Sequence, residues 1–225
     1  MLVEQLARTP EPELMDSIDQ VTAYAEADFS SANQWLVDDL LERFQPRPER
    51  GRLIDLGCGP GDICMRVARA LPEWQIEGLD AGANMLARAR ADLRAAGLTE
   101  RIALHHARMP DTGLEPDVYN CILSNSLLHH LPDPMILWHT VSRLAAAGAW
   151  IQIMDLDRPE NAESADRLVD EYAADAPEVL RDDFRNSLHA AWRADEVREQ
   201  LRRARLNLSC RRVSDRHWLV SGPLV

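Results

Sequence analysis

Apolar positions along this chain change their spacing near residue 50. Before it, "LMDSIDQVTAYAEADF" and "NQWLVDDLLERF" repeat apolar residues at helical intervals, until "QPRPER" breaks the pattern. Beyond it, short apolar runs alternate with amphipathic stretches. "RLIDL", "WQIEGLD", "RIALHHA", "YNCILSN" and "AWIQIMDL" read as strands. "GDICMRVARALP", "GANMLARARADLRAAGL" and "DPMILWHTVSRLAAAG" read as the helices between them. The almost wholly apolar "YNCILSN" suits a central parallel strand covered on both faces.

After Leu156 the alternation is interrupted. "DRPENAESADRLVDEYAADAPEVLRDDFRNSLHAAW" reads as polar-rich helix where a short connection would serve, and "ADEVREQLRRARL" then resumes the wrap. "NLSCRRV" and "RHWLVSG" close as two strands around "SDR". The predicted fold is α/β: a Rossmann-like, doubly wound sheet of seven strands, mostly parallel, with an antiparallel closing strand. Residues 1–50 are expected to form an N-terminal helical cap. Residues 51–225 are expected to form the core, with a helical insert near 157–193.

Composition narrows the function classes. The formal charge of −12 disfavours a sequence-independent grip on nucleic acid, which needs a basic face. "RRARLNLSCRR", the one basic run, reads as a solvated helix end. The sequence contains no lysine, which excludes a lysine Schiff base and the lysine of a nucleotide-binding P-loop. Its four cysteines form no CxxC pair, so reduced, mostly buried thiols are expected, with no metal site. No apolar run approaches the roughly 20 residues that cross a bilayer, and "MLVEQLARTPEPEL" lacks a signal-peptide core. A cytoplasmic protein with no membrane partner is expected, with a homodimer left open.

The glycine turn "LIDLGCGPGD" carries the chemistry. In an open parallel sheet, ligands bind beyond the carboxyl ends of the strands, where the winding reverses. Asp55 ends the first strand, Gly57 and Gly59 permit a tight turn, and Asp80 ends the second strand. A carboxylate at that second position can accept both hydroxyls of a ribose. The spacing here is GxGxG rather than the dinucleotide GxGxxG, and Asp62 occupies the position of the third glycine. An acid there repels a diphosphate. A ligand with a ribose, a positive centre and no phosphate fits these charges, and S-adenosylmethionine (SAM) is such a ligand.

"LIDLGCGPGD", "EGLDAGANML" and "SNSLLHHLPDP" together resemble the successive cofactor motifs of class I SAM-dependent methyltransferases, in order across residues 51–155. The resemblance implies SAM as cofactor, with S-adenosylhomocysteine (SAH) as product. It assigns Asp55, Gly57 and Gly59 to the methionine end, Asp80 to the ribose, and Ala81 and Met85 to the adenosine. Asn125 would offer its backbone carbonyl to the cofactor's amino group, and Tyr24 of the cap is expected to join the cofactor site. After the third strand this chain reads "HHARM" where many relatives have an aspartate for adenine. Ala107 and Arg108 are left to serve there through the backbone or by stacking.

The acceptor must be sought outside those motifs. Methyl transfer requires a nucleophile held in line with the methyl carbon, and a general base only where the acceptor is protonated. "YAEADFSSAN" brings Tyr24, Asp28, Phe29 and Asn33 into one short segment of the cap. His129 and His130 stand at the mouth of the fourth strand beside Ser126. His130 resembles the family's structural histidine, which leaves His129 as the catalytic candidate. Arg158, directly after the fifth strand, is a candidate for a substrate carboxylate, and Asn186 of the insert for the roof of a pocket. "YAEADFSSAN", "MDLDRP", "APEVLRDDFRNSLHAAW" and "VSDRHWLVSG" resemble the methyltransferase domain of ovothiol-forming proteins.

That resemblance implies methylation of an imidazole nitrogen of 5-thiohistidine, giving ovothiol A, with His129 or Asp28 as the base. The alternatives are another small-molecule acceptor, such as a quinone or polyketide, and a non-catalytic SAM-binding protein. Only three Phe and three Tyr weigh against an aromatic funnel for large apolar acceptors.

Overall fold

A computed structural model describes residues 5–225. Seven strands form a single sheet: β1 (Arg52–Leu56), β2 (Gln75–Asp80), β3 (Ile102–His106), β4 (Tyr119–Asn125), β5 (Ala145–Leu156), β6 (Ser209–Arg212) and β7 (His217–Pro223). Their order is β3-β2-β1-β4-β5-β7-β6. The first five are parallel, whereas β7 runs antiparallel to both β5 and β6. The winding reverses between β1 and β4, so their carboxyl ends leave a crevice. The expected fold is the observed one.

Helices cover both faces. Helices α3 (Asp62–Ala70) and α4 (Ala83–Ala96) follow β1 and β2, while α5 (Met135–Leu144) and α8 (Ala194–Ala204) cover the other face. On the α5 side Trp138, Val141, Val197 and Trp218 are fully buried. The expected helix 133–148 is cut short at Leu144. Ala145 pairs with Tyr119, a bulge follows, and Gly148 donates from its amide to the Leu224 carbonyl, so "AAAG" begins β5 instead.

The cap has three parts. Residues 5–17 are a strap without regular secondary structure; α1 spans Ile18–Glu26 and α2 spans Ser30–Arg43. Between the two helices the Asp28 carboxylate accepts the Ser30 amide at 3.0 Å, which starts α2 and breaks the run. Leu36, Val37 and Leu40 of α2 are buried with Leu53 of β1 and Val67 of α3 in one cluster. Gln152 Nε2 of β5 donates to the Leu36 carbonyl at 2.9 Å.

The insert is two helices, α6 (Ala162–Tyr172) and α7 (Glu178–Ala190). They pack through Ala165, Val169 and Leu188 against Leu156, with Phe184 alongside. No helix among the described residues is long and apolar enough to cross a membrane. The first four residues of the segment read against a signal peptide, and of the expected cap, lie outside the described residues.

Candidate active site

The crevice at the carboxyl ends of β1, β2 and β4 opens into a cavity roofed by the cap. The sequence forces its shape at the glycine turn. Gly57 has φ +73°, and a Cβ there would stand 2.8 Å from Leu127 Cδ1, so only glycine fits without strain. Gly59 also has positive φ but opens onto free space, leaving room for a ligand.

Two carboxylates end the strands beside this turn. Asp80 accepts the Gly59 amide at 2.8 Å and the Gly82 amide at 2.7 Å, which fixes its orientation. Burial raises its pKa against the pull of those amides. Asp55 is buried; Oδ2 accepts the Cys64 thiol at 3.4 Å while Oδ1 has no partner. Desolvation pushes its pKa up to about 7, with the Cys64 thiol opposing and the Asp80 charge adding. The buried Asn125 Oδ1 is likewise without a partner.

Of the residues expected at the cofactor, Tyr24, Asp55, Gly57, Gly59, Asp80, Ala81, Met85, Ala107, Arg108 and Asn125 all line the cavity, as do Asn33 and Ser126. Burial, then the charges of Asp80, Asp55 and Asp62, pushes the Tyr24 phenol up to about 12, so it remains an O–H donor. Asp28 and Phe29 line a neighbouring hollow that shares Tyr24, Asn33 and Asp62 with the cavity. The Tyr24 and Phe29 rings lie 4.8 Å apart there.

Four expectations for the acceptor need correction. Arg158 is buried in a two-pronged pair with Glu196, at 2.8 and 3.1 Å, and also donates to the carbonyls of Ala191 and Leu6. Its donors are spent on joining the insert to α8, so no substrate carboxylate reaches it. Asn186 is exposed on α7 and lines neither hollow. Asp28 is exposed, and its carboxylate is committed to the Ser30 amide and hydroxyl, which hold its pKa low.

His129 is the fourth. It is buried and does not line the cavity, because the 3₁₀ turn Leu128–His130 points it at Asp155. Burial opposes the imidazolium, but Asp155 and Glu11 outweigh it and raise the His129 pKa. His130 lines the cavity instead, and burial, aided by His129, pushes its pKa down to about 3. The two rings lie 4.2 Å apart, yet only His130 reaches the cavity wall, and the sequence does not say which of the two does so.

The strap was missed altogether. Glu13, Leu14 and Met15 line the cavity, and Glu13 forms a two-pronged pair with Arg108. Asp16 accepts the amides of Asn84 and Met85 at 2.9 and 3.1 Å, capping α4 from outside. The alternate prolines of "TPEPELMD" were the available signal, since they favour extended chain over helix.

Comparison with known proteins finds likenesses centred on the core. Residues 53–148 match the family model described as "Methyltransferase domain". This stretch is similar to a methyltransferase domain.

This chain is similar to curated proteins named trans-aconitate 2-methyltransferase. That of Variovorax paradoxus is 36% identical over 141 residues, 62% of this chain and 50% of that protein. That of Methylobacterium nodulans is 32% identical over 143 residues, 64% of this chain and 52% of that protein. This chain thus spans about half the length of the curated relatives it matches.

Among solved structures, a SAM-dependent methyltransferase from Aquifex aeolicus superposes with a TM-score of 0.69 at 16% identity, covering 91% of this chain and 97% of that one. Phosphoethanolamine N-methyltransferase 2 of Haemonchus contortus, solved with SAH, gives 0.68 at 14% identity, covering 92% of this chain and 57% of that one. The fold of this chain is that of these SAM-dependent methyltransferase structures. The cavity fits SAM. Its unpartnered Asp55 and Asn125 oxygens call for positive or donor groups, and Asp62 in the first turn of α3 fills the place where a diphosphate would sit.

Proposed function

We propose that this protein transfers the methyl group of SAM to a small polar acceptor, with the imidazole nitrogen of 5-thiohistidine as that acceptor. The observation that carries the cofactor half is the buried, unpartnered Oδ1 of Asp55 beside the Gly57 turn. SAM supplies an electrophilic methyl on a sulfonium. In this reading Asp55 and Asn125 hold the amino-acid end of the cofactor and Asp80 holds the ribose hydroxyls. Met85 and Arg108 flank the base, and the strap with α1 excludes water.

The acceptor half rests on charge. The cavity is lined by four carboxylates, Glu13, Asp55, Asp62 and Asp80, against one arginine, Arg108, which Glu13 already pairs. Such a site favours a neutral or cationic acceptor. A neutral imidazole offers a lone pair without prior loss of a proton, so attack needs no base from His129 or Asp28. The hollow at Tyr24, Phe29 and Asn33 supplies an aromatic surface and a side-chain amide for a ring of that size. The ovothiol-type resemblance of the cap and insert segments supports the same acceptor.

The names of the curated relatives favour a second reading, O-methylation of a small carboxylate. Against it stands the acidic lining, in which a tricarboxylate meets repulsion rather than paired arginines. The deciding experiment is transfer of labelled methyl from SAM to 5-thiohistidine, histidine and trans-aconitate side by side. Transfer to 5-thiohistidine at nitrogen is expected. Transfer to trans-aconitate alone overturns the acceptor, and SAH binding without any transfer favours a non-catalytic SAM-binding protein.

A further inference from the structure

Outside the cofactor contacts, three potential metal donors converge where the strap crosses the Leu128–His130 turn. Glu11 Oε1 lies 3.4 Å from His129 Nε2 and 3.3 Å from His130 Nδ1, and that Nδ1 also stands 3.4 Å from the Pro12 carbonyl, a long contact that an ion would replace. The three donor atoms all fall within 4.8 Å of one another. Donors about 2.0–2.2 Å from a tetrahedral ion stand about 3.4 Å apart, so two of the three separations already match.

Two features suit the spot to a metal ion. The Glu11 side chain is 8% exposed, yet its Oε1 has no hydrogen-bond partner; only Oε2 is engaged, by the Ser187 hydroxyl at 3.3 Å. A buried carboxylate oxygen is rarely left so. On the far side, Asp155 binds His129 Nδ1 and takes the His129 amide at 3.3 Å, which fixes the ring with Nε2 towards Glu11. A carboxylate behind an imidazole is the usual support of a metal-binding histidine. Glu11 and Asp155 bring two negative charges to the spot. Arg8, which donates to the His129 carbonyl at 3.1 Å and to the Ala190 carbonyl at 2.6 Å, brings one positive charge.

We propose that Glu11, His129 and His130 bind one divalent first-row metal ion, of the Zn²⁺ type, at the border between the strap and the cofactor cavity. Two imidazoles and one carboxylate suit zinc or iron and not magnesium or calcium, which prefer oxygen throughout. Three protein ligands leave a fourth position for water or a ligand atom. His130 also lines the cavity, so the ion ties the strap to the cavity wall. The cysteine spacing gave no hint of such a site, because none of its donors is a cysteine.

The test uses the full chain without a histidine tag, stripped of metal and titrated with Co²⁺ and then Zn²⁺. One Co²⁺ per chain with visible d–d absorption, displaced by Zn²⁺, is expected without SAM or SAH present. Glu11→Gln keeps the side chain's shape and removes its charge. It should weaken binding at least tenfold, since even residues that only support a metal ligand are worth ~10–100-fold. His130→Ala should abolish the absorption. The SAH-induced rise in melting temperature is measured on each variant as a check of folding, and if His130→Ala loses it, Glu11→Gln decides alone. Absence of stoichiometric binding in the wild-type chain overturns the proposal, and so does unchanged affinity in Glu11→Gln. Because Co²⁺ binding is read without cofactor, failure of the methyl-transfer reading would leave this result intact.

Discussion

Asn33, in the first turn of α2, donates from Nδ2 to Asp62 Oδ2 at 2.9 Å, and Arg66 Nε donates to the same oxygen at 2.7 Å. The Asn125 amide stands 3.5 Å from Asn33 Oδ1 on the other side. One cap side chain therefore braces both the helix after the glycine turn and the end of β4. Removing it with Asn33→Ala deletes a half-buried bond to a charged acceptor, worth about 1 kcal/mol. The SAH dissociation constant should rise about fivefold. Isothermal titration checks this, and an unchanged value would remove Asn33 from the cofactor's support.

Asp80→Ala probes the ribose assignment directly. A charged acceptor in a largely buried position contributes about 1.5–3 kcal/mol, so SAH binding should weaken by about 10–100-fold. Melting temperature without ligand separates this from misfolding, since Asp80 also holds the Gly59 and Gly82 amides.

Asp55 gives the site a pH dependence of definite sign. Its pKa in the folded chain is about 7, above the ordinary 3.8, so the folded state holds this proton more tightly than the unfolded state does. The stability from this group is complete below about pH 4 and is lost as pH rises through about 7. Urea unfolding at a series of pH values should show a steeper decline for the wild type than for Asp55→Asn. A cationic ligand at Asp55 favours the ionised form, so SAH affinity should increase over the same range in the wild type. A flat profile would contradict the assignment.

Arg158→Ala should act on stability rather than on the acceptor. Arg158 is 4% exposed and Glu196 is 34% exposed, so breaking their pair leaves a partly solvated acid and the Ala191 carbonyl without that donor, while the Leu6 carbonyl keeps Arg193. A loss of about 2 kcal/mol is expected, read by urea unfolding. The acceptor KM should stay as in the wild type; a selective rise in it would restore Arg158 to the substrate.

Much of this was legible in the chain because local rules agreed. The order of strands and helices follows from apolar spacing, and Asp55, Gly57 and Asp80 follow from a turn that few other residues could form. Long-range partners were not legible. Arg158 stands after a strand in the manner of a substrate-binding residue, but its fate depends on Glu196, which only the docking of α8 brings near. His129 and His130 are adjacent, and which one faces the cavity depends on Asp155. The end of the strap, Leu14–Ser17, shares the helical apolar spacing of α1 and reads as part of that helix, so Glu13 and Met15 gave no sign of reaching the cavity.

Helix α2 shares its apolar residues with β1 and α3 and is pinned to β5 through Gln152. The N-terminal fifty residues are consequently no detachable cassette. A chain begun at residue 51 would uncover the seam formed by Leu36, Val37 and Leu40 and invite aggregation. Nor can such a cap be traded wholesale between enzymes to change what is methylated. With the acceptor in the hollow proposed for it, new acceptors would be sought by point changes around Tyr24 and Phe29, which stand clear of that seam.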